Sequence, residues 1–132
     1  MTTRRLVLSR SAAMIGAAST SLLLPEIVRA QSNKVRIGLM LPYTGTFAPL
    51  GVAIENSFRM AIDEQGGKLA GREIEWFKVD DESEPSKGVE NASRLVQRDK
   101  VDVLLGTVHS GVQMGIHRVA RESGVLNLIP NA

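Results

Sequence analysis

The sequence predicts an α/β fold built in three layers, a mostly parallel sheet with helices on both faces. Short apolar runs alternate with helical patterns from Lys34 onward, the rhythm of consecutive βα units. The first run is apolar almost throughout, as a strand covered on both sides must be. Glycine and proline punctuate the joints.

Taken in order, residues 35–41 break an apolar run with Arg36 and mark a central strand. Leu50, Ile54, Phe58, Ala61 and Ile62 recur at three- and four-residue steps, one stripe of a helix that Gly66 and Gly67 stop. Residues 73–80 read as a second strand whose mixed pattern suggests a sheet edge. Pro85 suits the first turn of the next helix, where its missing N–H costs nothing, and Val89, Ala92, Leu95 and Val96 supply the buried side. Residues 101–106 and 125–129 are two further strands, separated by a helix whose core positions are Val112, Ile116, Val119 and Ala120 and which Gly124 ends. The expectation is four strands and three helices, with residues 66–71 a plain connector.

A chain of 132 residues fits one domain with a modest core. It contains no cysteine, which excludes disulfides, thiolate metal sites and a cysteine nucleophile. The net charge of +2 is unevenly spread. Residues 1–30 hold four arginines against Glu26, a net of +3, while the other 102 residues hold twelve basic and thirteen acidic side chains. No basic field is left to hold nucleic-acid phosphates.

The arginine-rich start has its own explanation. Arg4, Arg5 and Arg10 precede an uncharged stretch over residues 11–25, shorter than the roughly 20 apolar residues that cross a bilayer. Residues 1–30 therefore read as a signal peptide cut between Ala30 and Gln31, with residues 31–132 as the mature domain. The Arg4-Arg5 pair followed by apolar residues also fits a twin-arginine signal, and both export routes remain open. Either route ends outside the cytoplasm, in the periplasm.

In a parallel sheet, ligands bind beyond the carboxyl ends of the strands, where neighbouring connections leave for opposite faces. If the first strand lies between the second and third, that point falls between residues 42–51 and 107–111. Pro42, Tyr43, Thr44 and Gly45 make a loop able to curl around a small molecule, or a plain β-to-α turn. Ser110 and Gln113 have capping-box spacing, so Ser110 is expected to cap the third helix. The same helix end offers free N–H groups and a Ser110 hydroxyl to a carboxylate. His109 is a cleft-facing hydrogen-bonder or a solvated loop residue, and His117 belongs on the helix surface; their spacing does not suit a metal pair. Val108 and Val112 stand where a hydrolase nucleophile elbow needs glycines. The cluster Asp80, Asp81, Glu82 and Glu84 reads as a solvated strand end beside a helix start.

These segments together resemble the amino-terminal lobe of type I periplasmic solute-binding proteins, specifically the leucine/isoleucine/valine-binding family of ABC importers. The likeness rests on residues 35–38 before Pro42-Tyr43-Thr44-Gly45, Gly51, Ala61-Ile62-Asp63 leading to Gly66-Gly67, Asp80-Asp81-Glu82 before Pro85, residues 103–106 with Ser110, and Gly124-Val125 leading to Ile129-Pro130. The resemblance implies a non-catalytic, extracytoplasmic component that captures a small carboxylate-bearing solute for an inner-membrane ABC permease, with no cofactor or metal. It implies that Ser110 bonds the solute carboxylate, that Ala132 is a backbone contact and that His109 lies beside Ser110 in the cleft. Leu50 falls where members often carry an aromatic wall, so an amino acid, an amide or an aromatic acid all remain open. Tyr43 with His109 suits a flat ring as well as an aliphatic group. The family continues through a hinge into a second lobe, so a truncated product that binds poorly by itself is expected. An extracytoplasmic sensory domain is the alternative, and an α/β enzyme domain a weaker one.

Overall fold

A computed structural model describes residues 33–131. The expected signal peptide and Ala132 lie outside the described residues. The elements are β1 (Lys34–Leu41), α1 (Ala48–Glu64), β2 (Lys68–Leu69), β3 (Arg72–Asp80), α2 (Pro85–Gln97), β4 (Val103–Leu105), α3 (Ser110–Ser123) and β5 (Leu126–Leu128). They form one sheet in the order β2-β3-β1-β4-β5. β1 runs parallel to both β3 and β4, β4 runs parallel to β5, and the short β2 is antiparallel to β3.

The central place expected for the first strand is met, and so is its position between the second and third of the expected strands. The count is not: among the described residues there are five strands. The supposed connector contains β2, a two-residue hairpin arm closed by a bond from Ile74 N–H to the Gly67 carbonyl. Two residues are too few to show alternation, so no pattern marked them. β2 pairs only with Arg72 and Glu73, which leaves most of β3 as the sheet edge its mixed pattern suggested.

Strand alternation sends side chains to two faces. On one, Met40, Val79 and Leu104 join Ala92 and Leu95 of α2 and Val112, Ile116, Val119 and Ala120 of α3 in a continuous buried core. On the other, Phe58 of α1 meets Trp76 edge-on at 5.7 Å between ring centroids, and Glu55 of α1 meets Lys78. Helices therefore cover both faces. Trp76 pairs in register with Ile37 and Lys78 with Leu39, which places the buried Ile37 and Leu39 on the α1 side. Among the described residues no helix is long and apolar enough to cross a membrane.

Two glycines set how closely the loops at the carboxyl end of the sheet approach it. A side chain at Gly51 would collide with the Pro42 carbonyl, and one at Gly106 with the Met40 carbonyl. Gly51 therefore seats α1 against the end of β1, and Gly106 seats the chain leaving β4 against the same strand.

Candidate functional site

β1 and β4 are neighbours, and their following chains leave for opposite faces, toward α1 and α3. The residues 42–47 and 106–109 consequently meet at one rim. The direct evidence is a tilted contact between Phe47 and His109, 5.6 Å between ring centroids, with each residue at the start of a helix. The aromatic partner of His109 is thus Phe47. Phe47 carried no signal in the sequence, because a lone aromatic in a loop looks like any other until the opposing loop is in place.

The cap of α3 corrects the expectation for Ser110. His109 is the capping residue: its Nδ1 accepts from Val112 N–H at 3.3 Å, and its carbonyl accepts from Gln113 N–H at 3.0 Å. Ser110 is the first helical residue. Gln113 does not reach back to the cap, because its Oε1 accepts from Thr107 N–H at 3.2 Å inside the core. The helix starts one residue earlier than the Ser–Gln spacing implied, since an imidazole nitrogen can do what a serine hydroxyl usually does. The shift leaves the exposed Ser110 hydroxyl, and the N–H groups of Ser110 and Gly111, without acceptors or donors among the described residues. The positive end of α3 therefore carries a small set of unspent donors.

The second loop is anchored from below. Asp80, the last residue of β3, accepts from Tyr43 N–H at 2.8 Å, Thr44 N–H at 3.4 Å, Glu82 N–H at 2.8 Å and the Thr44 hydroxyl at 2.8 Å. Burial works to raise the Asp80 pKa, but the Tyr43 and Glu82 N–H bonds and those from Thr44 outweigh it and hold the carboxyl below its ordinary value. Asp81 is fully buried; it accepts from Ser83 N–H at 2.8 Å and from the Thr107 hydroxyl. The expectation of a solvated acidic cluster fails at these two positions. Their partners are 37 and 26 residues away, so nothing local could have shown the bonds.

Tyr43 itself turns to the α1 side. Its ring lies under Lys78 Nζ, 3.8 Å from the centroid, and its hydroxyl is buried without a hydrogen-bond partner. Burial, reinforced by the nearby Glu55 carboxylate, pushes its pKa well up, so the phenol stays neutral. Glu55 is buried and accepts from Lys78 at 2.6 Å and from Arg59 at 2.6 and 2.9 Å. Burial alone would raise the Glu55 carboxyl; the Lys78 and Arg59 bonds reverse that and lower it. Leu50, on the first turn of α1, is 44% exposed. The rim thus gathers Thr44, Phe47, His109 and Ser110, with Leu50 on the adjoining helix turn. Away from both loops, the outer side of α3 carries the exposed Met114, His117, Arg118 and Arg121. His117 is exposed there, as expected.

The family model described as periplasmic binding protein matches residues 34–132. The Leu/Ile/Val-binding protein BraC3 of Rhizobium johnstonii is 35% identical over 100 residues, covering 74% of this chain and 27% of that protein. A solute-binding protein of an ABC transporter from R. palustris, solved in complex with benzoate, shares 52% identity at a TM-score of 0.73, covering 75% of this chain and 28% of that one. LivJ from Streptococcus pneumoniae, solved with isoleucine, shares 28% identity at a TM-score of 0.71, covering 75% and 29%. The chain spans about 27% of the length of the curated relatives it matches. These relatives are solute-binding proteins of transporters, not enzymes. A sheet with its rim loops facing each other, and a match over nearly every described residue, lead to one conclusion: the chain belongs to the periplasmic binding protein family.

Proposed function

We propose that residues 31–132 form one wall of the solute cleft of an exported ABC-importer binding protein, and that its solute is an aromatic carboxylate of the benzoate class. The observation that carries this reading is the Phe47–His109 ring pair standing beside the unspent donors of Ser110 and Gly111. A ring face and a helix start offering N–H groups suit a flat apolar body with an anionic end. The 52% identity to a protein solved with benzoate supports the same solute class. Thr44 and Leu50 border the ring of the solute, Tyr43 stiffens the loop beneath it, and Ala132 is a backbone contact. Residues 1–30 direct export to the periplasm, and an inner-membrane permease receives the solute.

The second reading is a branched-chain amino acid. The half-exposed Leu50 and the 35% identity to a Leu/Ile/Val-binding protein favour it. Small-ligand sites bury most of their guest, so a single wall holds either solute weakly, with dissociation constants on the order of a millimolar. Titrating the 132-residue chain with benzoate and with isoleucine, followed by amide NMR, separates the two. Benzoate is expected to move the Phe47, Ser110 and Gly111 amides at lower concentration than isoleucine does. Shifts confined to other surfaces, or a preference for isoleucine, would overturn the aromatic assignment.

A further inference from the structure

Asp80 and Asp81 are consecutive, yet their side chains part to opposite sides of the sheet, as strand alternation demands. The β1–α1 loop leaves toward one side and the β4–α3 loop toward the other. Each carboxylate meets the loop on its own side: Asp80 takes Tyr43 and Thr44, and Asp81 takes Thr107. Neither points a free oxygen at the rim in the manner of a ligand group, because each oxygen already accepts from the chain. From Thr107 the tie continues through its N–H to Gln113 in the first turns of α3. The β3–α2 turn is packed into the same junction, with Gly45 lying against the Glu82 carbonyl. It is pinned to α2 by Asn91 Nδ2 donating to the Asp80 carbonyl at 3.0 Å.

We infer that Asp80 and Asp81 are positioning residues for the solute cleft, each holding one rim loop, so that the peptide bond between them fixes the spacing of Thr44 and Phe47 against His109 and Ser110. The inference rests on the reading of this rim as a solute cleft. The two carboxylates act through hydrogen-bond geometry, so asparagine, with the same shape and an acceptor oxygen, should largely replace aspartate at either place. At position 80 the amide oxygen keeps the backbone donors, and the Thr44 hydroxyl turns to accept from the new NH2 group. Alanine should not serve.

The test uses the whole 132-residue chain, amide hydrogen exchange, and benzoate as the probe. Asp80→Ala should speed exchange at Tyr43 and Thr44 by about tenfold or more, the loss expected for charge-assisted bonds, and leave the bonded Val112 and Gln113 amides at the start of α3 unchanged. Asp81→Ala should do the reverse, loosening the Ser83, Thr107, Val112 and Gln113 amides. Each should weaken benzoate binding by about tenfold. The Asp→Asn versions should restore both readouts to within about threefold of the unaltered chain. Should Asp81→Ala fail to fold, Thr107→Val removes the same tie from its other end. Equal loosening of both loops by either variant, unchanged benzoate affinity, or failure of asparagine to restore it would each overturn the inference. If the unaltered chain ignores benzoate, the solute assignment falls, and the loop-specific exchange pattern alone then decides whether the two residues hold separate loops.

Discussion

On the α2–α3 side of the sheet, aliphatic side chains from two helices close over and bury Met40, Val79 and Leu104. On the α1 side, among the described residues, the cover is a single helix. Its contact is made by Glu55, Phe58 and Arg59 over Trp76 and Lys78, with Arg59 lying 4.9 Å from the Trp76 ring centroid. Past the reach of α1, Leu126 and Leu128 of β5 are 57% and 47% exposed, aligned in register with half-buried Val103 and Leu105. The contrast shows two ways of closing a sheet. One side is held mainly by apolar area, whose burial carries no charge of its own. The other adds to the buried Ile37 and Leu39 and the Phe58–Trp76 contact a charged cluster whose strength depends on keeping Glu55 ionised.

The sharpest way to break the comparison is a cavity on the apolar side. Leu104→Ala should cost about 2–5 kcal/mol of folding stability, measured by urea unfolding, because Leu104 is enclosed by both helices and the site cannot collapse. Glu55→Ala should cost less, about 1–3 kcal/mol, since the freed Lys78 and Arg59 are half-exposed and can return to water. Ser110→Ala should leave stability within about 0.5 kcal/mol while weakening benzoate binding severalfold, which calorimetry or NMR titration would read. Leu128→Ser should change stability least, by under about 0.5 kcal/mol, because that side chain is already half in water.

The pH dependence sharpens the same contrast. Glu55 and Asp80 both have lowered pKa values in the folded chain. Their unfolded values lie near 4, so the stability they contribute is fully present above about pH 5 and is lost as pH falls through the lowered folded values. Urea midpoints measured from neutral to acid pH should therefore decline below about pH 5, and Glu55→Gln should flatten that decline. Leu104→Ala should lower the whole curve without changing its shape.

The residues that the sequence displayed and those it hid differ in a regular way. β1, the three helices and the edge character of β3 were visible because their apolar spacing repeats within ten or so residues. The rim was also visible, as the junction of two loops flanking a central strand. β2 was hidden by its length. The cap of α3 was misplaced by one residue because Ser110 and Gln113 imitate a capping box while His109 and Thr107 take the real bonds. Phe47 belongs to no apolar stripe, and the acidic pair looks like solvated surface until the chains at Tyr43 and Thr107 close on it.

Spacing, composition and turn residues by themselves determined the α/β alternation and the covered character of the first strand, because those depend on interactions between near neighbours along the chain; which two loops share a rim followed only once the strand order was fixed. Only the tertiary structure decided that His109 meets Phe47 at a tilt, that Tyr43 turns away under Lys78, and that Asp80 and Asp81 accept from the two loops. Those outcomes are bonds and contacts between groups tens of residues apart, and a carboxylate reveals whether it faces water or a buried hydroxyl only once the chain that covers it has arrived.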